Sequence, residues 1–401
     1  MPERGIRMII SRRNFLKTSA AAIALISTGG VIRAFDQGAF STGKGPAYEP
    51  WQSWNEEDID SDTNPLFRFV KASILASNAH NTQPWLYRIR ENEIDLYTDI
   101  SRNIGTMDPY FREMNISLGC AIENLDLAAN ASSYESKVTL YPGGFEQIHV
   151  ANITLTPGVM TSPDLYHVIG KRHTDRAAYD SDKQVEPATL QQMEKLSSEF
   201  PDVKVAWFTD ADKKTEVGNL IIHATEAIIG DQSQSGDSHK WNRHDWDELQ
   251  RHKDGISIDA SGNSEMIRFF GKVLPDSVKS FNDYWLKMTK SPQVSTASVF
   301  GMLLVRNQRD RTQLMQAGRL WQRMHLWAVT NGLAAQPLNQ LHERRDRELQ
   351  LGIEPLFGKA IEKLVNAPGY EGLFTFRMGY PTGQALASPR RPAEEVLLTH
   401  H

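Results

Sequence analysis

The sequence predicts an α+β fold, and two observations carry that prediction. Helix-period and strand-period segments follow one another along the chain: Leu66, Val70, Ile74 and Leu75 recur at helical spacing, whereas Trp85, Tyr87 and Ile89 alternate with Leu86, Arg88 and Arg90 as in a strand. In addition, two helices far apart in the chain share a pattern. Gly119 opens a stretch with Ile122, Leu125, Leu127 and Ala129, and Gly318 opens one with Trp321, Met324, Leu326 and Ala328 at nearly matching offsets.

Taken in order, residues 35–62 mix Gly, Ser, Pro and acids without a period and read as a surface linker. Thr63 or Asn64 then caps a helix that has Pro65 in its first turn. The strand from Trp85 pairs with Ile94 to Tyr97 across the turn at Glu91 and Asn92. The helix carrying Leu118, Ile122, Leu125 and Ala129 follows, then strands Val138 to Tyr141 and Ile148 to Leu155. Ser162, Pro163 and Asp164 supply a cap, a first-turn proline and a first-turn acid for a new helix that buries Leu165, Val168 and Ile169. Beyond it come a helix near Leu190 to Leu196, a strand from Val203 to Phe208 and a helix from Val217 to Ile229. Residues 231–310 are polar, irregular and rich in Trp, His and Asp, which predicts an insertion or lid. The long helix through Leu320 and Met324 ends at Asn331-Gly332, with Gly332 as the left-handed cap and Leu333 as its apolar contact.

Composition narrows the function. A net charge of −5 and the absence of a basic low-complexity stretch argue against a nucleic-acid partner. The lone Cys120 excludes an intramolecular disulfide, and neither H-E-x-x-H nor a Cys-based zinc motif occurs, so no metal is expected. At the front, Ser11-Arg12-Arg13-Asn14-Phe15-Leu16-Lys17 precedes a mildly apolar run from Ala20 to Ile32. Paired arginines in that setting resemble a twin-arginine export signal, assigned to residues 1–34, which sends folded proteins across a bacterial inner membrane to the periplasm or the membrane's outer face. The export machinery is thus an expected partner.

The stretch Ser77-Asn78-Ala79-His80-Asn81-Thr82-Gln83-Pro84-Trp85 joins a helix to a strand. Pro84 biases Gln83 toward extended geometry, and the corner presents amides suited either to the polar edge of a planar ligand or to bonding the loop's own backbone. Together with Lys171-Arg172-His173-Thr174-Asp175-Arg176, Gly332-Leu333 and Pro389-Arg390-Arg391-Pro392, this loop resembles the FMN-dependent nitroreductase superfamily. That family has a basic cluster, an Asn-x-Gln-Pro-Trp loop, a long helix ending Gly-Leu and a C-terminal basic pair. In the family two subunits share each flavin, one supplying the basic cluster and the other the loop. Here the loop precedes the basic cluster, which resembles the fused, single-chain, Acg-like branch.

The resemblance implies a nitroreductase-like α+β fold of two degenerate repeats, residues 63–156 and 162–401, arranged as a pseudo-dimer, so that one chain can be complete without a partner subunit. The first repeat keeps the loop and the second keeps the basic cluster, with one composite FMN site between them. Arg172, Arg176, Arg390 and Arg391 are expected to meet the phosphate, with His173 in the same cluster and Thr174 adding a hydroxyl. Asn78, Asn81 and Gln83 are expected at the flavin's pyrimidine edge. Gly332, Leu333, Pro337 and Asn339 bring backbone toward its reactive N5. No side chain stands out as acid or base, because the cofactor would carry a hydride or two-electron transfer. The alternative is a flavin-sequestering protein in which the insertion, with Trp241 and Trp246, closes over the ring. Substrate and electron donor are left unassigned.

Overall fold

The computed structural model describes residues 34, 37–54, 64–145, 147–161 and 163–398. Nearly all of the twin-arginine segment, residues 55–63 and the expected helix cap Ser162 lie outside the described residues.

The first half begins with helix α1, Pro65–Ser73, whose Asn64 side chain accepts a hydrogen bond from the Leu66 amide at 2.9 Å. Strands β1 (Trp85–Ile89) and β2 (Glu93–Thr98) follow, then helix α2 (Arg112–Ala131), then β3 (Tyr134–Leu140) and β4 (His149–Pro157). They form an antiparallel sheet of order β1-β2-β4-β3. The second half contains α3 (Pro187–Glu194), β5 (Val203–Phe208), α4 (Ala211–Gly230) and then four helices, α5 (Gln232–His239), α6 (Trp246–His252), α7 (Glu265–Val273) and α8 (Val278–Met288). After them come β6 (Val299–Val305), α9 (Arg311–Thr330), β7 (Ala334–Pro337), α10 (Gln340–Leu351), α11 (Leu356–Leu364) and β8 (Glu371–Gly379). This sheet is also antiparallel, in the order β5-β6-β8-β7. Numbered within each sheet, both orders run first, second, fourth, third, and in both the long helix lies between the second and third strands.

Those two helices, α2 and α9, cross at their paired glycines. A Cβ on Gly119 would stand 2.1 Å from the Met315 carbonyl oxygen, and one on Gly318 would stand 2.0 Å from that of Ile116. Only hydrogen fits at either position, so the two backbones meet directly. The Cys120 thiol donates to the Gly318 carbonyl at 3.2 Å, which gives the lone cysteine a packing role in this crossing. Beside it, Glu123 accepts from Arg319 Nε at 2.9 Å and Arg323 Nε at 2.6 Å, and Gln322 donates to Asn124 at 2.7 Å. Helix α9 ends in a Schellman motif: Leu333 N donates to Ala328 O at 2.8 Å, Gly332 N donates to Val329 O at 3.1 Å, and Gly332 has φ +69°.

Three expectations are revised. The stretch expected as an insertion over residues 231–310 ends earlier, because β6 is a central strand buried along its whole length. Its sequence, Val-Phe-Gly-Met-Leu-Leu-Val, is a continuous apolar run without alternation, as a strand covered on both faces requires. The expected surface linker is partly packed: Ala47 and Tyr48 are buried against Leu249, and Trp51 donates from Nε1 to Ser388 O at 2.7 Å. The helix expected after Ser162 is a single turn, Pro163–Tyr166, followed by a 3-10 turn at Ile169–Lys171. Finally, the C-terminal tail returns to the first sheet, where Leu398 N donates to Tyr87 O at 2.7 Å.

Candidate functional site

The loop after α1 is held in a costly backbone conformation. His80, Asn81 and Gln83 have φ values of +47°, +56° and +54°, a region that non-glycine residues seldom occupy. Side chains hold it there. Asn78 Oδ1 accepts from Gln83 N at 2.9 Å and its Nδ2 donates to Ala76 O at 3.1 Å. Asn81 Nδ2 donates to Pro389 O at 2.9 Å and to Gly255 O at 3.2 Å, while its Oδ1 accepts from Arg390. Gln83 donates to Lys253 O at 2.8 Å and accepts from Arg391 N at 2.8 Å. The three amides therefore tie the loop to itself, to the insertion and to the C-terminal tail.

Beside this loop the chain gathers arginines whose hydrogen bonds go to neutral groups. Arg172 donates to Ser77 Oγ and Leu75 O, each at 3.0 Å, and Arg390 donates to Ala76 O at 3.1 Å. Arg176 donates to Ala260 O at 3.0 Å. Arg391 reaches Gln83 O at 2.8 Å and Trp85 O at 3.2 Å. Among the described residues, none of the four has a carboxylate within ion-pair distance, and the Nε atoms of Arg172, Arg390 and Arg391 are buried without a partner. Burial, and secondarily Arg172 and Arg176, pushes Arg390 well below the usual arginine range; burial lowers Arg172 to about 10. A guanidinium does not release its proton at neutral pH, so this tension remains as excess positive charge. The same surroundings hold neighbouring imidazoles neutral: burial, then Arg172 and Arg390, lowers His173 to about 3. His173 packs edge-on against Trp51, with ring centroids 4.6 Å apart.

A cavity of about 640 Å³ opens next to this cluster. Of the residues expected at the cofactor, Asn78, Thr174, Arg176, Pro337 and Asn339 line it. Asn81, Gln83, Arg172, His173, Arg390 and Arg391 stand behind it. They do not line the cavity because their polar groups face the loop's backbone, the tail or one another. Gly332 is an exposed helix cap and Leu333 is buried in the core, so neither reaches the cavity. In the β7–α10 connection, Leu338 N is engaged by Thr375 O at 2.8 Å and Asn339 Oδ1 accepts from Thr375 N at 3.1 Å.

The insertion supplies much of the remaining wall, through Phe270 of α7 and Phe281, Tyr284 and Trp285 of α8. Trp241 and Trp246, the aromatics expected there, lie elsewhere. Trp246 covers Gly38, and Trp241 sits under the Arg243 guanidinium, 5.6 Å from it.

The structure also brings in residues that motif spacing did not reveal. His80, Glu113 and Glu343 all line the cavity. Burial raises Glu113 to about 7, with Arg112 opposing the shift; burial, and then the neighbouring Glu113, raises Glu343 well above the carboxylate range. Burial, then Arg176, lowers His80 to about 4. The available signal for Glu343 was its helix, His342-Glu343-Arg344-Arg345-Asp346-Arg347-Glu348. That run has the composition of a solvated surface, yet most of its side chains are buried.

Residues 10–29 match the TAT (twin-arginine translocation) pathway signal sequence, which indicates export through that machinery. No helix among the described residues is long and apolar enough to cross a membrane. A Mycobacterium tuberculosis protein provisionally named NAD(P)H nitroreductase Rv3131 is 30% identical over 139 residues, 34% of this chain and 38% of its own length. The chain thus spans well under half of that relative. A second protein of that organism, provisionally named NAD(P)H nitroreductase acg, is 22% identical over 343 residues, covering 83% of this chain and 95% of its own length. Among solved structures, a nitroreductase with bound FMN from Desulfitobacterium hafniense aligns over 60% of this chain and 100% of its own, with 11% identity and a TM-score of 0.36. The FMN-dependent nitroreductase NfnB of Mycobacterium smegmatis, in complex with NADPH, gives 60%, 99%, 11% and 0.36 for the same four measures. The chain is thus similar along most of its length to a protein provisionally named a nitroreductase, and it carries a twin-arginine signal near its N-terminus.

Proposed function

We propose that this chain is an exported flavoprotein oxidoreductase that holds one FMN in the cavity between its two halves. The observation that carries this reading is the arginine cluster, Arg172 and Arg390 buried and Arg176 half-buried, with no carboxylate among the described residues within ion-pair distance of any of them. Leaving buried charge uncompensated costs several kcal/mol per ion, on the order of the net stability of many domains. A phosphate dianion in the cavity would accept a charge-assisted bond from Arg176 and a further bond from Thr174, which line it, and would offset the charge that Arg172 and Arg390 hold behind the wall. A cavity of about 640 Å³ also falls in the size range of cofactor sites. When bound, FMN would supply hydride or two-electron transfer at its N5.

The chain's own residues would position and shield that group. Arg172 and Arg390 also fix the backbone of residues 75–77, so the basic cluster and the loop are held as one unit. Asn78, the one expected amide that lines the cavity, would present its edge to the flavin pyrimidine, with Asn81 and Gln83 bracing the loop behind it. With Leu338 N engaged and Pro337 lacking an amide hydrogen, the Asn339 backbone N–H is the donor we assign to the N5 side.

The same reading treats residues 63–156 and 162–401 as degenerate copies of one unit paired within the chain. Support comes from the shared strand order and the glycine-to-glycine crossing of the two long helices. Export to the periplasm separates the protein from cytoplasmic pyridine nucleotides, so the electron donor we favour is a quinol or a partner protein. A second reading, flavin sequestration, is favoured by one feature: Phe270, Tyr284 and Trp285 of the insertion wall the cavity.

The test is direct. The purified chain should show a flavin spectrum at one FMN per chain. Rapid bleaching by dithionite and by a soluble quinol indicates an oxidoreductase, and slow bleaching by both indicates sequestration. Protein that neither retains FMN nor takes it up overturns both readings.

A further inference from the structure

We propose that His80, Glu113 and Glu343 form a binding site for one divalent first-row transition-metal cation in the wall of the cavity. Their donor atoms all lie within 4.8 Å of one another. Around a tetrahedral ion with bonds of roughly 2.0–2.2 Å, ligand atoms stand about 3.3–3.6 Å apart. The trio therefore needs to draw in by about an ångström to close on a metal. One imidazole and two carboxylates form a mixed nitrogen and oxygen set that suits Mn²⁺, Fe²⁺ or Zn²⁺, and three protein ligands leave coordination positions open toward the cavity.

The second line of support is the setting of Glu343. Its side chain is 4% exposed, its Oε2 has no basic or N–H donor among the described residues, and the group that meets it is another carboxyl, that of Glu113. A buried carboxylate without a donor is costly, and facing it with another carboxylate adds repulsion. Arginines are close enough to have solved this and do not. Arg112 Nε and Arg345 Nη2 are committed to Asp346, at 2.7 and 3.0 Å. Arg344 donates to Gln234 Oε1 at 2.7 Å. One turn before Glu343, Gln340 Oε1 is another buried oxygen without a donor on the same cavity wall.

The other two ligands are held in place from behind. Arg112 Nη2 donates to Glu113 Oε1 at 3.1 Å, leaving Oε2 for an ion. His80 Nε2 lies 3.0 Å from Ser238 Oγ, a contact that orients the ring and leaves Nδ1 available. A proton shared between the glutamates would relieve their repulsion, but it would not account for the imidazole as the third vertex.

The test uses the full exported chain with whatever flavin it retains, freed of metal by a chelator and returned to buffer. Mn²⁺ alone is added and the free ion is followed by electron paramagnetic resonance, with Zn²⁺ binding measured in parallel by elemental analysis. One ion per chain is expected. Glu343→Gln and Glu113→Gln should each weaken binding by more than about tenfold. His80→Ala, at a half-buried loop position, carries the same expectation if either glutamate variant fails to fold. Absence of stoichiometric binding of both ions, or binding that survives in Glu343→Gln, overturns the site and leaves the shared proton as the explanation. Because metal content is read without turnover or flavin absorbance, failure here and failure of the flavin reading are separable.

Discussion

Two groups of buried arginines in this chain are alike in residue type and opposite in circumstance. At the helix crossing, Arg319 and Arg323 meet Glu123, Asp126 and Glu199, and the charges there are met within the chain. Beside the Ser77–Trp85 loop, Arg172, Arg176 and Arg390 meet carbonyls, amides and a hydroxyl, and no acid. The first group joins the two halves. The second has hydrogen bonds that fix its geometry but nothing that cancels its charge, and this is the arrangement expected of a site completed by an anion. The contrast teaches that burial of charge is not in itself a functional signal; burial without a counter-charge is. Glu343, buried against the Glu113 carboxyl with no ion pair of its own among the described residues, makes the same point with the sign reversed.

Substitutions can break or sharpen this comparison. The largest effect should come from Arg172→Ala with Arg176→Ala. If Arg176 makes a charge-assisted contact worth roughly 1.5–3 kcal/mol and Arg172 adds attraction from behind the wall, FMN affinity should fall by more than about tenfold, read as loss of flavin absorbance after gel filtration. Full retention of flavin by a folded double variant would refute the phosphate assignment. Next in size is Glu123→Ala, which leaves Arg319 with Asp126 alone and Arg323 with Glu199 alone. Losing two charge-assisted bonds should lower unfolding stability by roughly 1.5–3 kcal/mol in urea titrations while flavin affinity per folded chain stays unchanged. A loss of flavin with no loss of stability would reverse the roles we give the two groups.

A smaller effect is expected from Gly119→Ala, whose Cβ meets a backbone oxygen that cannot turn aside. Overpacking of this kind costs roughly 1–3 kcal/mol, and an unchanged urea midpoint would mean that the two helices separate freely. The smallest effect concerns pH. His173 is lowered to about 3 in the folded chain, below its unfolded value, so the unfolded chain binds the extra proton. The stability this contributes is complete above about pH 6.5 and is lost as pH falls toward 3. Glu113, raised to about 7, acts in the opposite sense, its contribution being lost as pH rises through 7. Wild type and His173→Gln should therefore be compared at pH 7.5 and pH 5. The variant should escape up to about 2 kcal/mol of the acid-induced loss. An equal loss in both proteins would mean that His173 is protonated in the fold.

Much of the first half was legible because its elements are local and its periods clean. The alternation at Trp85, Tyr87 and Ile89 became β1, and Asn331-Gly332-Leu333 became a Schellman end. The paired glycines were also visible, although their reason, two backbones in contact, was not. Failures came where a segment's neighbours decide its meaning. The run Val299–Val305 lay inside a polar stretch and was passed over, yet it is a central strand between two others. Asn81 and Gln83 were expected to face a ligand and instead bond the tail and the insertion, partners more than 150 residues away in the chain.

Residue order and side-chain chemistry by themselves determined the export signal, the α+β class, the glycine-opened helices and the kinds of group gathered beside the Ser77–Trp85 loop. They could do so because each depends on short-range periodicity or on a motif read within a few residues. Which arginines keep their charge uncompensated, which amides are consumed as braces and which acids face one another were decided only by the tertiary structure. Those outcomes depend on distances between residues from both halves, and electrostatic and hydrogen-bond energies follow distance in space, not separation along the chain.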